Sequence, residues 1–596
     1  MSGRAVGIDL GTSNSVVSAV LDGEAVVIPD DEGNPIQPSV VSFTASGEPV
    51  VGRRAKDRMI VDPVNTVYSV KRLVGRSWFA PEIKVAAKKY GYSIEKGDDD
   101  APRIVVRGKR YTAEDVQATI LRHMKRIAEN YLGEPVTRAV ITVPANFNEA
   151  QRRSTRNAAR LAGLEVMRLL NEPTAAALAY GYQDRNRERI AIYDLGGGTF
   201  DITLLELREN VFEVLSTAGD TFLGGDDFDH MIAGIVSRAF LHRFDHDLRT
   251  DPAAMQRLKS MAESMKIELT QRDAASGSVS QVVPGAAKPV DFDITLTREQ
   301  FNQACKRIVQ QTFLVCDEAL QLAGVQSSEI DRLVLVGGST RVPLVREMVE
   351  HYFFRKPLTD INPDEVVAVG AAIYAFGLEE AEAGPVAPPP IPDAARKSGT
   401  RKGPPPLPPG ATGRMTAIDP GFGATMYDDL PQAVDDEFPE FSLADAVAES
   451  AAYPAVNQAP SMPLLIDVTP DALGIETVGG IMDILIHRNA PIPTRVSRTF
   501  ATSRDDQDTV RIQIFEGTSR QVEENRFLGE LVLEGLPPAP RGDVRVEVAF
   551  QINADGMLDV AARDSGTGAL RRTRLTIAGA ADVDLPEWDA EAGEYR

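Results

Sequence analysis

Cysteine is almost missing from this chain. Two occur in 596 residues, Cys305 and Cys316, in one helical pattern and about three turns apart. With no second Cys/His cluster beside them, a disulfide framework and a zinc site are excluded as organising features, and two core thiols are expected. The six histidines show no ligand spacing. No run of eighteen apolar residues occurs, so no transmembrane helix and no membrane partner are expected. Positive charge is short: 64 Lys and Arg stand against 86 Asp and Glu, a net charge of −22. A nucleic-acid binder needs the opposite balance, so nucleic acid is not an expected partner. GxxxxGK[ST] is absent, and no GxGxxG follows a strand, which removes the P-loop and dinucleotide-binding classes. The first strand starts within a few residues of Met1, leaving no room for a signal peptide, and the expected compartment is the cytoplasm.

What is present is normal for a large soluble protein, with 43% hydrophobic and 25% charged residues and length for several domains. The most informative stretch is IAIYDLGGGTFDIT at 190–203. It reads as a strand, a Gly-rich turn and a second strand. Successive glycines let peptide N–H groups surround phosphate oxygens without a Cβ in the way. Asp194 and Asp201 flank the turn, where carboxylates suit a hydrated Mg²⁺ beside polyphosphate. The same device opens the chain as VGIDLGTSN at 6–14, and a third Gly-rich turn, LVLVGGSTR at 333–341, follows an apolar strand. Two facing hairpins suggest a duplicated architecture that grips one polyphosphate.

These strings resemble those of the seventy-kilodalton heat-shock chaperones (the DnaK type), which have an actin-like ATPase fold. IDLGTSNS, TVYSVKRLVGR, ITVPANFNEAQRRSTRNAARLAGL, LLNEPTAAALAYG, YDLGGGTFDIT, GDTFLGGDDFD, VLVGGSTRVPLV and NPDEVVAVGAA run in family order to about residue 376. LLIDVTPDALGIETVGG carries the resemblance on to about Ile577. The resemblance implies a multidomain chain: a two-lobed α/β actin-like ATPase domain at 1–380, a linker at 381–462, an all-β sandwich at 463–578 and an acidic tail at 579–596. The helical lid of the family is expected to be absent after the sandwich.

The resemblance also implies roles. ATP or ADP with Mg²⁺ would be the cofactors, with Asp9, Asp194 and Asp201 ordering water around the metal. Thr12, Ser13, Thr199 and the backbone of Gly196, Gly197 and Gly198 would face the phosphates. Ser13 stands where the family usually has a second threonine. Lys71 would orient the attacking water, and Glu172 would sit beside it. Gly337, Gly338, Ser339 and Arg341 match the adenine-side turn. Glu263, Lys266 and Thr270, on one helical face, match the ribose-and-base helix, and Asp364 a carboxylate near the same pocket. Pro144 and Arg152 match the family's switch pair, and Arg168 a residue that receives a J-domain co-chaperone. A nucleotide-exchange factor is a further implied partner.

Helices are expected at 112–132 behind a cap at Thr112, at 251–270 behind Pro252, and at 304–323. The basic segment 148–161 reads as a solvated helix. At 379–461 composition breaks into PVAPPPIPD, KSGTRKGPPPLPPG and an acidic stretch, a linker composition. PPPIP and PPPLPP suit an aromatic-lined groove on a partner. From Leu464 the pattern turns to period two, with strands expected at 483–487, 495–502, 510–516, 529–534, 544–552 and 558–563. By resemblance, Ile475, Thr477, Val478, Phe500, Ser503, Val510 and Ile512 would hold an extended apolar peptide, and Leu464, Leu465 and Asp467 belong to a docking segment. Val478 and Ser503 depart from the Met and Ala that arch over peptide in bacterial relatives.

The expected function is an ATPase that couples ATP hydrolysis to binding of unfolded or apolar peptide. The alternative is a nucleotide-switched adaptor recruiting a partner through the Pro-rich insertion. An actin-like sugar kinase or filament former is a third class, to which the β domain has no counterpart.

Overall fold

The computed structural model describes residues 4–180, 187–208, 211–283, 288–358, 362–383 and 464–564, with short pieces up to 595. The expected linker, apart from 381–383, and most of the expected tail at 579–596 lie outside the described residues. Apart from 381–383, the described residues all belong to one compact unit.

Its N-terminal part rests on two sheets that repeat one plan. In the first, Arg4–Leu10, Asn14–Leu21 and Glu24–Val27 form an antiparallel meander. Val136–Val143 joins Arg4–Leu10 in parallel, and Glu165–Asn171 follows in parallel. In the second, Glu188–Leu195, Phe200–Arg208 and Val211–Asp220 make the meander, and Arg332–Val336 joins Glu188–Leu195 in parallel. Central strands such as Phe200–Arg208 are buried at nearly every position. That is why they read as continuous apolar runs rather than alternations.

Helix ends follow local chemistry. Ala113–Leu132 starts at Thr112, whose side chain accepts from the Asp115 N–H while the Asp115 carboxylate accepts from the Thr112 N–H. It stops at Gly133, in the left-handed region at φ 70°. Pro252–Gln271 lies where a helix is expected. Arg298–Ala323 begins six residues ahead of the expected 304, because Thr297 and Gln300 close a capping box there. Cys305 and Cys316 lie on it, both buried and free. Burial pushes both thiols up, Cys305 to about 12. Between the two sheets, the helices Glu172–Ala179 and Val366–Ala383 cross with backbones in contact. A Cβ on Gly370 would lie 1.7 Å from the Ala175 carbonyl oxygen, so only glycine fits.

From Leu464 the described chain is almost entirely β. Ile481–Ile486, Leu473–Thr477, Thr509–Glu516 and Arg526–Glu534 make one sheet, in that spatial order. Thr494–Ala501, Arg545–Ile552, Leu558–Asp564 and Leu570–Arg574 make the other. Leu473, Ile514, Leu531, Val548, Phe550 and Val560 fill the space between them. The six expected strands are present, and Leu464–Val468 and Leu473–Thr477 precede them. Leu464–Val468 is shared. It pairs in parallel with Val211–Asp220, Leu464 opposite Val211 and Leu465 opposite Phe212. Through Asp467 and Val468 it also pairs antiparallel with Pro491–Ile492.

One expectation is overturned here. The basic helix, Glu149–Leu161, is not a solvated surface helix: Glu149, Ala150, Gln151, Arg152, Ser154 and Thr155 are all buried. It lies between Ala113–Leu132 and the sandwich, and Ala150 joins the sandwich's own core. Arg152 and Arg156 face another part of the protein, while Arg160 near its end is exposed.

Candidate functional site

The turns of the two leading hairpins touch. The Ser13 hydroxyl lies 2.1 Å from the place a Cβ on Gly197 would take, so the approach requires glycine at 197. The Gly-rich turn is closed by the Gly196 N–H donating to the Thr199 carbonyl at 3.0 Å, and the Ser339 hydroxyl donates to the Gly196 carbonyl at 2.8 Å. All three Gly-rich turns therefore meet at one place.

Lys71 sits below them in a short buried turn, Val70–Arg72. Its ammonium donates to Glu172 Oε1 at 2.5 Å, with both side chains almost wholly covered. Asp9 accepts from the Thr142 hydroxyl at 3.1 Å. Asp9 and Asp194 are half-buried and Asp201 is buried. Loss of water around Asp9 pushes its carboxyl up to about 7, helped by the negative charge of Glu172 and opposed by Lys71. Burial and then Glu172 push Asp201 up to about 8, and Asp194 rises for the same reasons, with Asp201 and Asp9 adding to it. Asp201 Oδ1 is buried without a hydrogen-bond partner. One ammonium is thus set among four carboxylates, an arrangement that favours an added cation. Among the described residues no three His, Cys, Asp or Glu side chains converge to ligate a metal directly. The set fits a cation that keeps its water shell.

Above this floor opens a cavity of about 420 Å³ lined by Thr12, Ser13, Gly197, Gly338, Ser339, Arg341 and Asp364 on one side and Glu263, Lys266, Ile267 and Thr270 on the other. Glu263 is bridged by Lys56 at 2.8 Å, Lys266 by Asp229 at 2.9 Å, and Arg341 by Asp364 at 2.7 Å. The volume suits a drug-sized or nucleoside-sized ligand. The structure brings Asp9, Lys71, Glu172, Asp194 and Asp201 together and puts Thr12, Ser13, Gly197, Glu263, Lys266, Thr270, Gly338, Ser339, Arg341 and Asp364 on the walls; Gly196, Gly198, Thr199 and Gly337 belong to the adjoining turns and do not line the cavity. Arg72, Thr142 and Lys56 were not singled out by sequence reasoning. Only Arg72 left a signal, a second cation beside Lys71 in an apolar turn; it donates to the Gly198 carbonyl and stacks on Phe222.

A second site lies where the sandwich meets the first lobe. Arg152 is buried and donates to the carbonyls of Phe147 at 2.9 Å, Ala145 at 3.4 Å and Asp555 at 3.3 Å, and to Asn171 Oδ1 at 2.8 Å. The buried Pro144 belongs to the same turn, its carbonyl accepting from the Phe147 N–H. The Asp555 carboxylate pairs with Arg156 and with Arg168, and the Arg168 guanidinium also donates to the Ala554 carbonyl at 2.9 Å. Asp467 accepts from the Thr174 hydroxyl at 3.1 Å, and Leu465 is buried with the lobe's apolar residues. Asp555 went unnoticed in the sequence because Asp-Gly reads there as a turn and nothing more.

The expected peptide-holding residues divide. Ile475 and Ile512 point into the sandwich core, because alternate strand residues share a face and theirs is the inner one. Phe500 and Val510 pack partly against that core. Thr477 is half-buried, Ser503 is exposed, and Val478 is 82% exposed.

No described helix is long and apolar enough to cross a membrane. A family model with the description Hsp70 protein matches residues 5–383 and 443–589. The match covers both the two-sheet region and the sandwich.

Proposed function

The chain belongs to the Hsp70 family of chaperones, and from that premise we propose that it hydrolyses ATP between its two lobes and couples hydrolysis to peptide binding by the sandwich. The observation that carries this reading is the Lys71–Glu172 pair, 2.5 Å apart, set among Asp9, Asp194 and Asp201 beneath a nucleoside-sized cavity. Phosphoryl transfer needs positioning and charge stabilisation more than covalent chemistry. Magnesium, when bound, supplies positive charge to the phosphate oxygens. Asp9, Asp194 and Asp201 would hold it through water. Thr12, Ser13, Thr199 and the N–H groups of Gly197 and Gly198 bind the phosphates, while the Gly196 N–H closes the turn onto Thr199. Glu172 clamps Lys71 so that its ammonium offsets the charge that develops at the transferred phosphoryl group. Glu263, Lys266 and Thr270 face Ser339, Arg341 and Asp364 across the space for the nucleoside.

For the sandwich, the support is Val478 with Ile481 and Phe527, large apolar side chains that are 82%, 51% and 46% exposed, a solvent-facing set that suits apolar peptide. Arg168 is engaged by Asp555, so a J-domain partner that uses Arg168 would compete with the docked sandwich.

Single-turnover hydrolysis of radiolabelled ATP tests the nucleotide half. Turnover by the wild-type chain that disappears in Lys71→Ala and in Asp9→Ala is expected; undiminished turnover in both would end the reading. Fluorescence anisotropy of a labelled apolar peptide tests the other half, with weaker binding expected in ATP than in ADP.

A further inference from the structure

Three acids line a small cavity, about 20 Å³, between lobe and sandwich: Glu149 from the helix Glu149–Leu161, Asp471 from the loop after Leu464–Val468, and Glu516 at the end of Thr509–Glu516. The rest of the lining is Arg152 and mainly apolar groups such as Phe147 and Leu558. Glu149 and Glu516 are each only 8% exposed, and Glu149 Oε2 is buried without a hydrogen-bond partner. Positive charge is thinly spread among them. Glu516 faces Arg526, whose guanidinium lies 3.4 Å from its Oε2, and more remotely Arg152, while Asp471 and Glu149 oppose it. Glu149 faces Arg153 and Arg526, with Asp559 opposing. Asp471 faces Arg488. Arg526 is shared, since it also donates to the Gly75 carbonyl and lies beside Arg76. Arg152 already serves four oxygens. Two sides of an interface thus bring three carboxylates together in a mainly apolar pocket, where Arg526 and Arg488 are each shared with another partner.

We propose that docking of the sandwich onto the lobe takes up protons at Glu149, Asp471 and Glu516, so that acidification favours the docked arrangement and rising pH releases it. The inference rests on the reading that this interface opens and closes during the ATP cycle. Burial raises all three carboxyls, Glu516 to about 7. When the surfaces separate, Glu149 and Glu516 regain water and return towards their ordinary value of about 4.3. The docked form then holds more protons than the separated form. Docking should weaken as pH climbs from about 4.5 to about 7, by roughly tenfold per pH unit for each proton taken up, and level off above.

The test uses the full chain carrying dyes at Glu24→Cys and Glu534→Cys, both exposed positions, since the native thiols are buried. Energy transfer reports the docked-to-separated ratio from pH 5.5 to 8, in ADP and in ATP. The cleft carboxylates titrate in the same range, so the wild-type chain is compared with Glu516→Gln at each pH. The ratio is expected to fall at least about tenfold between pH 6 and 7.5 in the wild type, and less than about threefold in Glu516→Gln. Equal slopes in the two chains, or no slope in either, would overturn the proposal. A pH slope without any response to nucleotide would support the proposal and sink the ATP-cycle reading. A response to nucleotide with equal pH slopes would do the reverse. If melting shows Glu516→Gln unfolded, Glu149→Gln carries the same comparison from the lobe side.

Discussion

The cleft and the docking face both place carboxylates out of water, but they treat them differently. In the cleft, Asp9, Asp194 and Asp201 share one ammonium that Glu172 already holds, and all three are pushed upward. At the docking face outside the Glu149–Asp471–Glu516 pocket, Asp555 has Arg156 and Arg168, and Asp467 has the Thr174 hydroxyl. A site that supplies its own counter-charges is fixed by the protein alone. One that withholds them is completed by something that arrives and leaves. The cleft is therefore suited to a cationic ligand, and the docking face to a partner that is part of the same chain.

The sharpest way to break this comparison is to damage one site and watch the other. Lys71→Ala should lower ATP turnover by about a thousandfold, near the upper end for removing one charge-stabilising donor. Energy transfer across the docking face, measured without nucleotide, should stay unchanged; loss of both would show that the sites cannot be separated. Arg152→Ala should weaken docking by about 1–2 kcal/mol, because the Asp555 carbonyl loses a charged donor across the interface while its carboxylate keeps Arg156 and Arg168. Faster amide hydrogen exchange at residues 553–556, with basal turnover retained, is the expected signature.

Removal of the ligand sharpens the contrast further. In the folded, nucleotide-free chain Asp9 and Asp201 titrate at about 7 and about 8, against an ordinary 3.8. The folded state holds these protons and the unfolded state does not, so stability falls as pH rises from about 4 to about 8 and is flat above. Scanning calorimetry should show a declining Tm over that range, and protection by Mg²⁺ with nucleotide should grow as pH rises. The smallest effect belongs to Thr174→Val, which removes one hydrogen bond to Asp467. About 1 kcal/mol of docking strength should go, read by the same energy transfer.

The nucleotide side was legible in the sequence because its chemistry is local. Glycine triplets, a following Asp and an apolar strand are neighbours in the chain, and the fold only has to bring three such turns together. The docking face was not legible, since Arg156 and Asp555 are 399 residues apart and each alone reads as a charged side chain turned to water. The same blindness makes 148–161 read as a solvated helix: periodicity marks a charged face without saying whether water or another domain lies opposite. Strand alternation likewise groups Ile475 with Thr477 and Ile512 with Val510, yet it cannot say which face of the sheet is inside. The early start of Arg298–Ala323 was readable from the Thr297–Gln300 box, which lies ahead of the apolar period.

Leu464–Val468 adds one more strand to the second lobe's sheet and, at its far end, pairs with the sandwich. Neighbouring backbone hydrogen bonds along one edge are lost together rather than by degrees, because a strand pulled half free leaves unpaired groups that gain nothing. Departure of the sandwich should therefore behave as a latch with two positions, so that a weak signal changes how often it is open and not how far.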